Sequence, residues 1–133
     1  MIKALFLDFY GTVVRDDRTL IQYAVDEIFR TGSAGHSSEV MEYLWEQFRL
    51  NCASAYGESF QTQREIEYRS LLQTIAHFDA AADADALCQS IFDAWRKPEL
   101  FDDSREFFHR VKIPVYIVSV SYTHLTRWTD GTA

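Results

Sequence analysis

The sequence predicts an α/β fold in which a long helical segment is inserted between two strands of a parallel sheet. Two short apolar runs, residues 3–8 and 115–118, flank a stretch of helical periodicity from Thr19 to about Trp95. The first run shows no alternation of apolar and polar residues, which is typical of a strand buried on both faces. The predicted order is therefore strand, helical insertion, helix, strand.

The first predicted strand ends in a carboxylate, Asp8, and a turn follows it. Gly11 marks the segment Phe9–Thr12 as a sharp turn. Ligands of open α/β sheets bind at the carboxyl edge of the strands. We therefore expect Asp8 to lie at a binding edge, and we expect the backbone amides of the turn to cradle an anion.

The helical insertion is predicted to contain four helices, which is enough for a small bundle. Ser37 or Ser38 is expected to cap the second helix. The third runs from about Gln61 to Phe78, and Asp83 or Asp85 opens the fourth. The residues expected to face inward on the third helix are Leu71, Leu72, Ile75 and Phe78.

The chain is predicted to return to the sheet through a fifth helix, Leu100–Val111, in which Phe107 and Phe108 are buried. The second strand then ends in Ser119. If the two strands are parallel neighbours, Asp8 and Ser119 emerge side by side at one edge. A carboxylate nucleophile, a hydroxyl donor and an amide nest suit attack on an electrophile that bears a negative charge.

Composition and charge exclude several classes of protein. The 133 residues include 13 basic and 20 acidic side chains, a net charge of −7, which disfavours nucleic acid and anionic membranes as partners. No apolar run approaches the ~18 residues of a membrane span. Cys52 and Cys88 form no CxxC pair, and the histidines show no HExxH spacing. We therefore predict reduced thiols in a cytoplasmic protein and no histidine metal site.

The segments Leu5–Thr12 and Val115–Ser119 resemble the first two motifs of the haloacid dehalogenase-like (HAD) hydrolase superfamily. The helical insertion resembles the helical cap of that family, and Lys97–Phe101 resembles the return from the cap to the core. The resemblance implies an α/β, Rossmann-like parallel-sheet core interrupted by a helical-bundle cap. The ranges it implies are residues 1–14 and 97–119 for the core, and residues 15–96 for the cap.

The remaining residues, 120–133, are an atypical tail in this interpretation. They offer no third parallel strand, and Val120 stands where the family has an asparagine after the second-motif serine. Two parallel strands make a poor free-standing sheet because both faces and both edges need cover. We therefore expect the core to be incomplete and the chain to be the C-terminally truncated first part of a larger domain.

The resemblance implies that Asp8 is the nucleophile of a covalent aspartyl intermediate. Thr12 and Gly11 of the turn, with Ser119, would bind a small anionic substrate. Most phosphatases of the family have a second aspartate, a general acid/base, where this chain has Tyr10. A phenol of pKa ~10 does not replace a carboxyl of pKa ~4 as a base near neutrality. Tyrosine at this place is the pattern of 2-haloacid dehalogenases, which need no metal cofactor.

Two functional alternatives stay open. A Mg²⁺-dependent phosphomonoester phosphatase would bind its metal through Asp8 and the backbone carbonyl of Tyr10. The chain itself is also predicted to be inactive, because it has no lysine after Ser119 and only one acidic residue there, Asp130. In the dehalogenase interpretation, Arg30 would take the place of the arginine that receives the halide, which the dehalogenases have early in the cap.

Each of the main candidates also has a purely structural interpretation. Asp8 would cap the turn if its carboxylate accepted hydrogen bonds from the following amides. Tyr10 would be a packing aromatic side chain, and Arg30 a solvated cation at the end of a helix. The sequence predicts neither the substrate nor the oligomeric state.

Overall fold

The computed structural model describes residues 1–16 and 18–119, and the chain divides into two compact units. The sheet unit comprises Met1–Asp16 and the described residues from Glu99 onward. The helical unit comprises the described residues from Arg18 to Pro98. The predicted tail, residues 120–133, lies outside the described part. The elements are β1 (Leu5–Leu7), α1 (Thr19–Thr31), α2 (Ser37–Ser54), α3 (Gln63–His77), α4 (Ala84–Trp95), α5 (Asp102–Arg110) and β2 (Val115–Ile117), with one 3₁₀ turn at Gly57–Ser59.

The two strands are parallel neighbours, which confirms the predicted α/β organisation. Leu5 pairs with Val115 and Leu7 pairs with Ile117. Hydrogen bonds continue the ladder beyond both strand ends, since Leu5 donates to the Pro114 carbonyl at 2.9 Å and Val118 donates to the Leu7 carbonyl at 2.8 Å. The register of the sheet is therefore fixed on both sides of the strands.

The prediction that the first strand is buried on both faces is wrong for the described residues. Phe6 on β1 is 69% exposed and Tyr116 on β2 is 53% exposed. Their rings stack on each other with centroids 5.2 Å apart. A continuous apolar run indicates burial on two faces only where further elements cover both faces, and on this face the two aromatic rings instead contact each other.

The helical unit contains the four predicted helices around one apolar core. Each helix contributes buried residues to this core, and the contacts run between α1, α2, α3 and α4. Leu72 is 44% exposed, contrary to the prediction, because its neighbour Leu71 occupies the inward direction of α3. The core residues are Ala24, Val25, Ile28, Val40, Leu44, Leu71, Phe78, Ala84, Leu87, Cys88 and Ile91.

The starts of α3 and α4 follow the capping rules, whereas α1, α2 and α5 begin without a side-chain capping bond. Thr62 forms a reciprocal capping box with Glu65 at the start of α3, and the Asp83 carboxylate accepts from the Ala86 amide at the start of α4. The prediction that Ser37 or Ser38 caps α2 is wrong, because both serines lie inside the helix. His36 occupies the N-cap position there and makes no side-chain capping bond.

The segments that leave and re-enter the sheet unit run side by side. Arg15 donates from its amide to the Glu99 carbonyl at 2.8 Å, and Phe101 donates to the Val13 carbonyl at 3.2 Å. The Arg15 guanidinium also pairs with the Glu99 carboxylate at 3.3 Å. α5 begins directly after this pairing, and its Phe108 is 38% exposed, although the sequence predicts burial.

No helix in the described part of the chain is both long enough and apolar enough to cross a membrane.

Candidate active site

The parallel register brings the two predicted strand-end residues to one edge of the sheet unit. Because Leu7 pairs with Ile117, the next residues along the two strands, Asp8 and Val118, lie level with each other. Ser119 follows Val118 by one residue. Asp8 is exposed and Ser119 is half-buried. The sheet thus presents a solvent-accessible carboxylate and a hydroxyl residue at the carboxyl ends of adjacent strands, where α/β folds bind ligands.

The turn after Asp8 uses its own amides internally. The Phe9 carbonyl accepts hydrogen bonds from the amides of Thr12, Val13 and Val14 at 3.3, 2.8 and 3.1 Å, and Gly11 donates to the Val14 carbonyl at 2.8 Å. The prediction that the amides of this turn cradle an anion is therefore wrong for Gly11 and Thr12, because both are already hydrogen-bonded. The same bonds oppose the turn-cap interpretation of Asp8, since these amides donate to backbone carbonyls and not to its carboxylate.

Gly11 has a conformational role in this turn. Its φ of +74° lies in the left-handed region, which side chains with a Cβ rarely adopt. A Cβ at this position would meet nothing within 4 Å. Glycine is therefore required here by the backbone angle and not by a close neighbour.

Tyr10 lies in the turn as a half-buried phenol. Its ring packs edge-on against Phe9, with the two centroids 5.0 Å apart. Burial raises the pKa of the Tyr10 hydroxyl above its usual value of 10.0, and the negative charge of Asp16 raises it further. The phenol therefore stays protonated throughout the neutral range, where it can donate a hydrogen bond but cannot act as a general base.

Two further predicted binding residues stand in different settings. Thr12 is exposed on the turn of the sheet unit. Arg30 belongs to the helical unit, where its guanidinium donates to both carboxylate oxygens of Glu27, at 3.1 and 2.6 Å, and this pairing lowers the pKa of Glu27. The pairing favours the interpretation of Arg30 as a helix-surface cation, because a halide would have to compete with that carboxylate.

The described residues do not make a complete magnesium site. Asp8 offers a carboxylate and Tyr10 a backbone carbonyl, whereas magnesium takes about six oxygen ligands, so waters and the substrate phosphate would have to supply the others. Within residues 1–16 and 18–119, no three histidine, cysteine or acidic side chains are grouped closely enough to hold a metal ion. Of the ligands that the metal-dependent alternative needs, the described residues therefore offer the Asp8 carboxylate and the Tyr10 carbonyl.

The sequence interpretation missed one buried ionisable residue. Glu67 on α3 is only 7% exposed, and its Oε2 atom has no hydrogen-bond partner in the described structure. The sequence does contain a signal for this burial, because Glu67 and the core residue Leu71 are four residues apart and so lie on the same helix face. Burial raises the pKa of this carboxyl to about 7.

The chain is similar to three solved structures of L-2-haloacid dehalogenases. The enzyme from Xanthobacter autotrophicus is 17% identical with a TM-score of 0.56, and the match covers 92% of this chain and 48% of that one. A second structure of that enzyme, with chloropropionic acid covalently bound, is 16% identical with a TM-score of 0.56 and the same coverage. The L-2-haloacid dehalogenase RSc1362 is 15% identical with a TM-score of 0.59, over 91% of this chain and 54% of that one.

These similarities establish the fold. The chain spans about half the length of the solved structures that it matches. No protein-family model matches it, and no curated protein matches it at a significant level. The described residues thus have part of the fold of the L-2-haloacid dehalogenases, and the predicted resemblance to HAD-like proteins is confirmed at the level of the fold.

Proposed function

We propose that these residues belong to a hydrolase that acts on a small anionic 2-haloacid through a covalent ester on Asp8. The observation that supports this most directly is the exposed Asp8 carboxylate at the carboxyl edge of the parallel strands, level with Val118, the residue before Ser119. The fold shared with L-2-haloacid dehalogenases adds support, as does the covalently bound chloropropionic acid in one of those structures.

The proposed reaction has two steps. In the first, an Asp8 carboxylate oxygen attacks C2 of the 2-haloacid, so that a C–O ester bond forms while the carbon–halogen bond breaks and the halide leaves with its electron pair. In the second, water attacks the ester at the carboxyl carbon of Asp8. This releases the 2-hydroxyacid, regenerates the carboxylate and yields one proton. The halide needs no protonation, so the first step needs no acid.

Tyr10 favours this chemistry over phosphate ester hydrolysis. A phosphatase of this architecture has to protonate an alkoxide leaving group, which a carboxyl with a pKa near ~4 to 6 does well and a phenol with a raised pKa does poorly. The Tyr10 hydroxyl remains a neutral hydrogen-bond donor instead. A neutral donor suits the stabilisation of a departing halide, which carries negative charge but takes no proton.

In this proposal the hydroxyls of Ser119 and Thr12 bind the substrate carboxylate as hydrogen-bond donors. Gly11 provides the left-handed turn that presents Thr12. Arg30 would receive the halide only after leaving Glu27, to which it now donates two hydrogen bonds. We therefore assign the binding of the substrate carboxylate to the turn and Ser119, and we give Arg30 the weakest part in the proposal.

Intact-mass spectrometry tests the covalent step. The chain, and the longest product of its gene, are mixed with 2-chloropropionate. Ester formation with loss of chloride is expected to add about 72 Da, the mass of the substrate without hydrogen chloride. Asp8→Asn should lose the adduct, whereas Asp102→Asn, an exposed aspartate at the start of α5, should keep it.

Turnover assays separate the alternatives. Halide release from 2-chloropropionate that is insensitive to EDTA supports the proposal. Phosphate release from an aryl phosphate that EDTA abolishes, without any halide, would establish the magnesium-dependent phosphatase instead. The chain itself is expected to turn over weakly or not at all, so the longest product of its gene is the decisive sample. Absence of both adduct and turnover from that product would refute the proposal.

A further inference from the structure

Glu67 is placed where an ionised carboxylate has no counter-charge. It lies on the inward face of α3, only 7% exposed, and its Oε2 atom has no hydrogen-bond partner in the described structure. Burying a charge without a partner costs far more than burying a neutral carboxylic acid. The geometry around Glu67 therefore favours its protonated form, and burial raises the pKa of the group to about 7.

The groups that face Glu67 from neighbouring helices do not supply a positive charge. On α4, Cys88 is buried close enough that the charge of Glu67 raises the pKa of its thiol, and Asp85 acts on the same thiol in the same direction. On α2, the buried polar residue that contacts α3 is Asn51, a neutral amide that donates to Ser70 and Gln73. Neither helix contributes a cation to the described surroundings of the carboxyl.

The candidate cation on the same helix, Arg64, is engaged elsewhere. It lies three residues before Glu67 on α3, which puts the two side chains on neighbouring positions of one helix face. Its guanidinium donates to the Gln89 amide oxygen on α4 at 2.5 Å and lies 4.7 Å from the centroid of the Phe92 ring. Arg64 thus links α3 to α4 while Glu67 remains without a counter-ion.

We propose that Glu67 and Arg64 form a pH-sensitive switch that sets how tightly α4 is held against α3. With Glu67 protonated, Arg64 binds Gln89 and Phe92, as in the structure described here. With Glu67 ionised, Arg64 turns back along its own helix to pair with the carboxylate, and α4 loses both contacts. The Arg64 guanidinium thus has two alternative sets of partners, either Glu67 or the residues of α4. These two arrangements are the bistable element that a switch requires. It does not depend on the function proposed for Asp8.

Two double-mutant cycles with opposite pH dependence test the switch in the full chain. The first cycle combines Arg64→Met with Glu67→Gln, and the second combines Arg64→Met with Gln89→Ala. Urea unfolding is measured at about pH 5.5 and about pH 8.5, on either side of the raised pKa of Glu67. The Arg64–Glu67 coupling is expected only at the higher pH, as a change of about threefold or more in the unfolding constant. The Arg64–Gln89 coupling is expected at the lower pH and should be lost at the higher pH.

A matched control uses Arg49→Met with Glu67→Gln, because Arg49 is an exposed cation on α2. This pair is expected to show no coupling at either pH. The proposal is overturned if the Arg64–Glu67 coupling fails to appear at about pH 8.5, or if the Arg64–Gln89 coupling is the same at both values. Glutamine at position 67 keeps the size of the side chain and removes its charge, so the variant is expected to fold.

Discussion

The amide of Val118 donates a 2.8 Å hydrogen bond to the carbonyl of Leu7. This one bond carries the parallel register past the ends of both strands. It holds Asp8, which follows Leu7, and Ser119, which follows Val118, at the same edge of the sheet unit. The candidate nucleophile is thus positioned by backbone hydrogen bonding, and its own side chain stays exposed for chemistry.

Asp8 and Asp83 are expected to differ in their contribution to stability. Asp83 caps α4 by accepting from the Ala86 amide at 3.1 Å, so Asp83→Ala should cost ~1 kcal/mol. Asp8 is exposed, and the amides of the turn that follows it bond to backbone carbonyls, so Asp8→Ala should cost less than ~0.5 kcal/mol. Amide hydrogen exchange reports the local stability of each unit: the amides of Gly11 and Thr12 report the effect of Asp8→Ala, and the amides at the start of α4 report the effect of Asp83→Ala. Faster exchange at Gly11 and Thr12 in Asp8→Ala would restore the turn-cap interpretation.

Gly32 is expected to tolerate no side chain. A Cβ there would lie 2.8 Å from the carbonyl oxygens of both Ile28 and Phe78, and neither backbone atom can move freely. Gly32→Ala should therefore destabilise the helical unit by ~1–2 kcal/mol in urea unfolding. Gly35→Ala is the control, because its nearest neighbour at 3.3 Å is the flexible carboxylate of Glu39. Equal stability of the two variants would contradict the close packing at Gly32.

The start of α2 can be improved by one substitution. His36 has the extended backbone of an N-cap, φ −144° and ψ 148°, but makes no side-chain capping bond. His36→Ser places a hydroxyl three residues before Glu39 and completes the sequence of a capping box. We expect a gain of ~0.5–1 kcal/mol in the free energy of unfolding. His36→Ala lacks the hydroxyl and should show no gain, so a similar rise in both variants would argue against capping as the cause.

Most of the fold could be predicted because its signals are local. The period of the apolar residues located the four helices of the inserted unit, and Asp83 was correctly among the predicted capping residues. The start of α2 was mispredicted because Ser37 and Ser38 are good capping residue types, and only the three-dimensional path of the loop makes His36 the last non-helical residue. The exposure of Phe6 also depends on which elements cover the sheet, which a local pattern does not encode.

The candidate site was predictable only in part. The order of a strand, a carboxylate and a glycine turn indicated Asp8, and the parallel pairing brought it to the edge that Ser119 shares. The predicted anion nest failed at Gly11 and Thr12, because the sequence does not show which carbonyl an amide will bind, and here the two amides donate to the Val14 and Phe9 carbonyls. Glu67 was missed because a glutamate between core positions usually turns to solvent, and its burial depends on the packing of neighbouring helices against α3.

The burial of Glu67 makes the stability of the helical unit depend on pH. The ordinary pKa of a glutamate carboxyl, which applies to the unfolded chain, is 4.5. In the folded protein, burial raises the pKa of Glu67 to about 7. Between these two values the folded state binds more protons than the unfolded state, so the free energy of unfolding falls as the pH rises. The fall begins near the unfolded pKa and is complete above the folded one. A gap of this size corresponds to ~3 kcal/mol.

Glu67→Gln is expected to abolish this pH dependence, because glutamine has no proton to exchange. Urea unfolding of the wild-type chain from about pH 5 to about pH 8 should show a loss of stability approaching ~3 kcal/mol, while the Glu67→Gln curve stays nearly flat over the same window. At about pH 8 the variant should therefore be more stable than the wild type, and near pH 5 the two should be close. Glu42→Gln on the exposed face of α2 should retain the wild-type slope. If Glu67→Gln kept the wild-type pH dependence of stability as well, another group would be responsible for it. The ionised Glu67 carboxylate would then be stabilised by a partner in the folded protein.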